Sequence, residues 1–309
     1  SDRFNVPNNE ALEEIVFGMQ AAHHEYVNQT GCWDASILFL VQADERNFAD
    51  QRLLQHLLQQ KYKICIQRAT FQEVQEEGIF GDESSGFEFK FRCKEISVIY
   101  FRTGYSPNDY ESDEDWGTRL KMELCRSIKC PNIAYHLAGT KKIQQVLCQP
   151  AQLERFLGKD DSSLIKECFA GMYSLADDNT ERKNIIDKAI KNPELFVLKP
   201  QREGGGNNLY GQDIASALKT MSSDDLSAYI LMDKINAPTS RNILIKEGKA
   251  LNTNCICEMG IYGVYISYGE SGNEIRNRSA GYLLRVKQDS SDEGGVAAGF
   301  SCLSSVSLT

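Results

Sequence analysis

Apolar positions along the first half of the chain switch repeatedly between helical and strand spacing. From Glu10 to Gln29 they recur at the period of an amphipathic helix. Ile37-Leu-Phe-Leu-Val41 is an unbroken apolar run of strand length. From Asn47 to Tyr62, Leu53, Leu54, Leu57 and Leu58 mark a second helix. Lys63–Gln67 predicts a strand and Phe71–Glu77 a short helix. Phe87–Phe91 and Ile96–Phe101 alternate as a hairpin would, and Asp115–Ser127 and Ile133–Cys148 return to helical spacing. This alternation predicts an α/β domain with a mainly parallel sheet over residues 32–140, preceded by the helix of residues 1–31. Residues 141–309 read differently. A helical stretch runs from Gln152 to about Lys191. The strands Phe196–Lys199, Tyr229–Ile235, Asn242–Ile245, Cys255–Met259, Val264–Tyr268 and Gly281–Lys287 then follow, with one helix at Ile214–Met221. This half is predicted to be α+β, built on antiparallel sheet. The acidic, glycine-bearing segment Asp289–Gly299 reads as a mobile loop.

Composition narrows the class. The chain has 309 residues, a formal charge of −9 and 41% hydrophobic residues, which suits a soluble globular protein of two or so domains. The acidic balance argues against a nucleic-acid groove. The apolar runs are far shorter than a membrane span, and no signal peptide is visible. Ten cysteines are scattered without C-x-x-C spacing. Cys255 and Cys257, at i and i+2, would share one face of a strand. They read as reduced thiols of a cytosolic protein rather than a zinc site or disulfide frame.

The candidate chemistry centres on Phe196-Val-Leu-Lys-Pro-Gln-Arg-Glu-Gly-Gly-Gly-Asn-Asn-Leu-Tyr-Gly211. An apolar strand delivers Lys199, a point charge for phosphate. Glu203 offers a hard oxygen for Mg²⁺. Gly204, Gly205 and Gly206 allow the backbone to approach a ligand and turn its N–H groups toward phosphate oxygens. A plain glycine-rich turn is the bland alternative. The P-loop, dinucleotide and protein-kinase patterns are absent, as is the G-x-S-x-G elbow, so the loop belongs to another nucleotide-binding architecture. Met232-Asp-Lys-Ile235 ends a strand, as a segment reading an adenine edge through its backbone would. Glu258 ends another. Arg285 and Lys287 share a strand face suited to a carboxylate or phosphate. Phe101-Arg-Thr-Gly-Tyr105 follows an apolar strand, which puts Arg102 where α/β folds hold ligands. Glu45-Arg-Asn47 and Gln51 follow the first strand likewise.

Together with Leu137-Ala-Gly-Thr-Lys-Lys142 and Gly294-Gly-Val-Ala-Ala-Gly299, these segments occur in the order and at the spacing of the eukaryotic glutathione synthetases, which the chain resembles over nearly its whole length. The resemblance implies an ATP-grasp fold, in which nucleotide lies between two antiparallel sheets. It implies ATP-dependent ligation of γ-glutamylcysteine and glycine through an acylphosphate. Lys141 and Lys199 would contact ATP phosphates, and Glu203 would bind Mg²⁺. Gly204, Gly205, Gly206, Asn207, Asn208 and Tyr210 would form a lid. Met232, Asp233, Lys234 and Ile235 would line the adenine pocket, with Asp233 where a glutamate is more usual, and Glu258, Lys287 and Glu293 would complete the nucleotide site. Glu45, Arg46, Asn47, Gln51, Arg102, Thr103, Gly104 and Tyr105 would take the dipeptide. Arg285, Val296 and Ala297 would contact the tripeptide near its glycine end, where the small Ala297-Ala298 pair favours glycine over β-alanine. Lys199 and Arg285 would carry the catalysis. The resemblance further implies a homodimer, and an N-terminal Glu-Ile-Asn-Thr segment with two more Mg²⁺ ligands that has no match in the chain. The chain is thus expected to represent the C-terminal two-thirds or so of such an enzyme. A non-catalytic nucleotide-binding or dimer-modulating derivative, or an ATP-grasp ligase for another γ-glutamyl peptide, would share most of these residues.

Overall fold

A computed structural model describes residues 5–149, 151–176, 179–201, 207–268, 273–296 and 299–307. The first unit comprises α1 (Ala11–Thr30), β1 (Ser36–Leu40), α2 (Phe48–Tyr62), β2 (Cys65–Ala69), α3 (Phe71–Glu77), β3 (Gly78–Phe80), β4 (Phe89–Phe91), β5 (Lys94–Phe101), α4 (Asp113–Leu124) and β6 (Ile128–Cys130). Strands β2, β1, β5 and β6 are parallel in that order, and β4 and β3 extend β5 antiparallel. The turn between β4 and β5 places Arg92 and Cys93 at positive φ (46° and 65°), the twist that suits a two-residue hairpin.

All five residues of β1 are buried, because helices cover both faces of the sheet. Ile37 and Phe39 meet Val16, Met19 and Ala22 of α1 and Leu54 and Leu58 of α2. Leu38 and Leu40 meet Phe71 and Val74 of α3 and Met122 of α4. Helix α1 therefore shares the core of the sheet, although Gly31, in the left-handed region (φ 72°), ends it where the sequence places a boundary.

Beneath α1, His23 is 8% exposed and its Nδ1 lies 2.7 Å from Ser97 Oγ, which donates to the Ser36 carbonyl. Burial, with a smaller push from His24, lowers its pKa from 6.5 to about 4. The fold favours neutral imidazole, so its stabilising effect is intact above pH 6.5 and is lost as pH falls from 6.5 toward 4. A shift of this size corresponds to about 3 kcal/mol. Denaturant unfolding of His23→Gln at neutral pH and near pH 4.5 is expected to show a smaller acid loss than wild type; an equal loss would rule out this origin.

The second unit contains α5 (Ile133–Ala138), α6 (Lys141–Cys148), α7 (Lys159–Lys166), β7 (Met172–Ser174), α8 (Thr180–Lys191), β8 (Phe196–Pro200), β9 (Leu209–Tyr210), α9 (Gln212–Thr220), α10 (Ser223–Ser227), β10 (Tyr229–Asp233), β11 (Thr239–Lys246), β12 (Lys249–Tyr268), β13 (Asn273–Gln288) and β14 (Ser301–Ser304). It forms two antiparallel four-stranded sheets, ordered β7-β10-β8-β9 and β11-β12-β13-β14. This is the pair of sheets that an ATP-grasp nucleotide site requires. Phe196, Leu198 and Leu231 pack on Ile214, Leu218 and Leu226. Alternation along β8 then turns Val197 and Lys199 to the opposite face.

Besides the short strands β3, β6, β9 and β14, which the sequence does not predict, three differences from expectation stand out. The helix expected over Ile133–Cys148 breaks at Gly139 and Thr140, where the Gly139 N–H donates to the His136 carbonyl and a new helix begins at Lys141. The helical stretch from Gln152 to Lys191 is interrupted by β7, whose three residues pair with β10; so short a strand has no period to read. Conversely, Cys255–Met259 and Val264–Tyr268 are parts of one 20-residue strand. Gly260 and Gly263 look like stops, yet pairing with β13 runs through them with a register shift between Ile261 and Gly263. No helix among the described residues is long and apolar enough to cross a membrane.

Candidate active site

Polar side chains gather in two clusters. The first surrounds Lys199 at the end of β8. Burial lowers its pKa most, the like charge of Lys141 lowers it further, and Glu258 and Glu293 oppose the shift. These neighbours come from the start of α6, from β12 and from the loop after β13. Helix α6 is held against β8 by the Lys142 N–H donating to Gln201 Oε1 at 3.2 Å, which fixes the place of Lys141. Glu258 and Arg285 are cross-strand partners in the register of β12 and β13, and their side chains form an ion pair. An ideal Cβ on Gly294 would stand 3.4 Å from Glu258 Oε2, so that loop passes close to the carboxylate.

The described part of Asp289–Gly299 is pinned to the site rather than detached from it. Lys287 Nζ donates to the Asp292 carbonyl at 2.9 Å, and Lys234 Nζ pairs with Asp292 Oδ1 at 3.1 Å. Asn208 Nδ2 and the Tyr210 hydroxyl each lie 3.4 Å from Glu293 Oε1. Burial raises the Tyr210 pKa, which keeps it a neutral donor. Met232 and Asp233 end β10, where the Asp233 carboxylate accepts the Tyr173 hydroxyl at 3.2 Å. The N–H groups of Asp233 and Lys234 already donate to Gly171 and Leu195 carbonyls, both at 2.8 Å. The Ile235 N–H has no partner among the described residues. Asn207 and Val296 border this cluster in sequence. Glu203, Gly204, Gly205, Gly206 and Ala297 lie outside the described residues.

The second cluster lies beyond the C-terminal ends of β1, β2 and β5, the edge at which parallel sheets hold ligands. Arg102 Nη1 pairs with Asp50 Oδ2 at 2.6 Å, and its Nε donates to the Tyr105 hydroxyl at 3.2 Å. Burial would lower the Arg102 pKa, but Tyr100 and Asp50 more than offset it, so the guanidinium stays charged. Gln51, fully buried, donates from Nε2 to Glu45 Oε2 at 2.8 Å and accepts at Oε1 from Arg68 Nη2 at 2.6 Å. Glu45 Oε1 accepts the Asn47 N–H at 2.8 Å. Thr103 is buried and Arg46 is exposed. Gly104 sits at φ 78°, and a Cβ there would fall 2.8 Å from the Tyr110 hydroxyl. Gly104→Ala is expected to destabilise by about 1–2 kcal/mol through the left-handed backbone alone and to misplace Arg102; an unchanged thermal midpoint would contradict this.

His136 of α5 touches the Tyr105 loop, its Nε2 lying 3.2 Å from the Tyr105 carbonyl. Four residues separate His136 from Lys141. Sequence reasoning missed Asp50, Arg68, His136 and Asp292. Arg68 stands at the end of a parallel strand, the same signal that marked Arg102. Asp292 adjoins Glu293, but no periodicity indicates that it ties down two lysines.

A family profile described as eukaryotic glutathione synthase, ATP binding domain, matches residues 1–308. The chain belongs to this family. The chloroplastic glutathione synthetase of Solanum lycopersicum is 43% identical over 312 residues, covering 100% of the chain and 55% of that relative. The glutathione synthetase of Dictyostelium discoideum is 42% identical, covering 98% of the chain and 63% of its own length. The chain thus spans somewhat over half of the relatives it matches. The apo structure of a glutathione synthetase like-effector from Globodera pallida superposes with a TM-score of 0.71 at 21% identity, over 97% of this chain and 61% of that one. That likeness speaks for the shared fold. The profile describes an ATP-binding domain that takes in both clusters.

Proposed function

We propose that the chain carries the ATP and donor-peptide sites of a glutathione synthetase, the ligase that joins γ-glutamylcysteine to glycine. The observation that supports this most is the convergence of Lys141, Lys199, Glu258 and Glu293 between two antiparallel sheets, with His136 touching the Arg102 loop.

A carboxylate is a poor electrophile. In this reading, a cysteinyl carboxylate oxygen attacks the γ-phosphorus of ATP, the bond to ADP breaks, and an acylphosphate forms. The glycine amine then attacks the acyl carbon, loses a proton, and phosphate leaves. Phosphoryl transfer depends mainly on positioning and charge neutralisation. Lys141 and Lys199 are placed to spread charge over the phosphates. Arg285, oriented by Glu258, meets the acceptor end. Tyr210, Lys234 and Lys287 hold the Asp292–Glu293 loop over the site, where it would exclude water from the acylphosphate. Adenine would be read through the Ile235 N–H and the neighbouring carbonyls.

Mg²⁺ is expected at Glu203, which lies outside the described residues. Among them no group of three ligating side chains is present, but Mg²⁺ commonly takes one or two carboxylates plus substrate phosphates. Glu203 would hold the ion, with Glu258 and Glu293 as nearby oxygens, and the ion would supply charge neutralisation. The ten cysteines are free, which supports a reducing compartment such as the cytosol; the homodimer rests on the family alone. The proximity of Ala297-Ala298 to Arg285 in sequence supports glycine as acceptor. Competition between glycine and β-alanine tests that choice: glycine is expected to be preferred, and equal use would overturn it.

A further inference from the structure

Resting on that functional reading, we propose that Arg68, at the end of β2, is the residue that receives the α-carboxylate of the γ-glutamyl head, with Gln51 serving as its positioning partner. Both ends of the Gln51 amide are engaged, toward Glu45 at 2.8 Å and Arg68 at 2.6 Å, and the side chain is fully buried. Gln51 is therefore a bridge. What remains available lies on either side of it. Glu45 is half-buried and keeps acceptor lone pairs on both oxygens. Arg68 Nη1 is buried and has no hydrogen-bond partner among the described residues. A buried donor left unmatched is unfavourable, and native proteins rarely leave one without a reason.

The pair matches an amino-acid head. Such a head carries an ammonium and a carboxylate on one carbon. A carboxylate and a guanidinium fastened to the two ends of one amide present the complementary charges on either side of it. The guanidinium also offers a planar fork suited to a carboxylate. Among the surrounding charges, Arg52 and Arg102 act on Arg68 as like charges, and Glu45 and Asp50 as opposite ones. The strand register puts Arg68 beside Phe39 of β1, just ahead of the loop that carries Glu45. The anion is thus held at the ligand-binding edge of the parallel sheet, while the other end of an extended dipeptide is left to reach the Lys199 cluster.

The test is equilibrium binding of γ-glutamylcysteine and of γ-aminobutyryl-cysteine, which lacks only the α-carboxylate, to the full chain and to its Arg68→Met and Arg68→Lys variants. An ATP analogue serves as the folding control. Arg68→Met is expected to weaken γ-glutamylcysteine about 10- to 100-fold, the range of a hydrogen bond to a charged group. It should leave the decarboxylated analogue and the nucleotide unchanged. Arg68→Lys should fall between, because lysine keeps the charge and loses the fork; it carries the test if Arg68→Met does not bind nucleotide. An equal loss for both dipeptides, or no loss for either, overturns the assignment while leaving the functional reading intact. A wild-type chain that binds nucleotide but neither dipeptide overturns both.

Discussion

Lys199→Ala lowers ATP-dependent phosphate release by at least about 10²-fold, on the scale of a lost electrostatic donor in a preorganised site. Lys199 is half-buried at a strand end, beside a second lysine, so its charge is already partly desolvated before nucleotide arrives. Such a cation attracts phosphate more strongly than an exposed one. Removing it also takes away a cation that offsets Glu258 and Glu293 next to the anionic triphosphate. The lowered pKa adds a pH signature. Lys199 begins to lose its proton at lower pH than the ordinary value of 10.5, so nucleotide binding should weaken on the alkaline side earlier than a solvent-exposed lysine would cause. Lys199→Arg, whose charge persists at that pH, should remove this alkaline limb. Titration of a nucleotide analogue against pH for wild type and both variants measures these effects together. Wild-type phosphate release by Lys199→Ala would refute the role.

The second large effect concerns Arg285. Arg285→Ala is expected to reduce kcat/KM by at least about 10²-fold, with little loss of stability, because both members of the Arg285–Glu258 pair are substantially exposed, at 35% and 57%. Exposed ion pairs contribute little to folding. The functional loss would instead come from the acceptor end of the site. Steady-state rates at varied glycine, with the denaturation midpoint measured alongside, separate the two. A variant with normal kcat/KM, or one whose loss follows its instability, contradicts the assignment.

Legibility in the sequence followed periodicity. Strand β1 was readable because five consecutive apolar residues can be satisfied only by a strand covered on both faces. The leucines of α2 were readable because they repeat at helical spacing and two of them, Leu54 and Leu58, enter the core. Short elements were not readable: β7 is fixed by its pairing with β10, and the break before Lys141 by the turn in which the Gly139 N–H donates to the His136 carbonyl. Much of the candidate site was marked by residues at strand ends. What the sequence did not convey was which side chains are supports. Gln51 reads as a dipeptide contact, and the structure adds that its amide, fully buried, links Glu45 to Arg68. Asp292 and His136 carry no signal of their own in the sequence, yet they tether Lys234, Lys287 and the Tyr105 loop. These relations join residues far apart in the chain, where no periodic signal reaches.

Phosphate release by the purified chain with ATP, Mg²⁺, γ-glutamylcysteine and glycine, each omitted in turn, tests the central claim most directly. The account predicts release that requires the dipeptide and glycine together, and that disappears in Lys199→Ala. A folded, nucleotide-binding chain that releases no phosphate, or that releases it equally without the dipeptide, would contradict it.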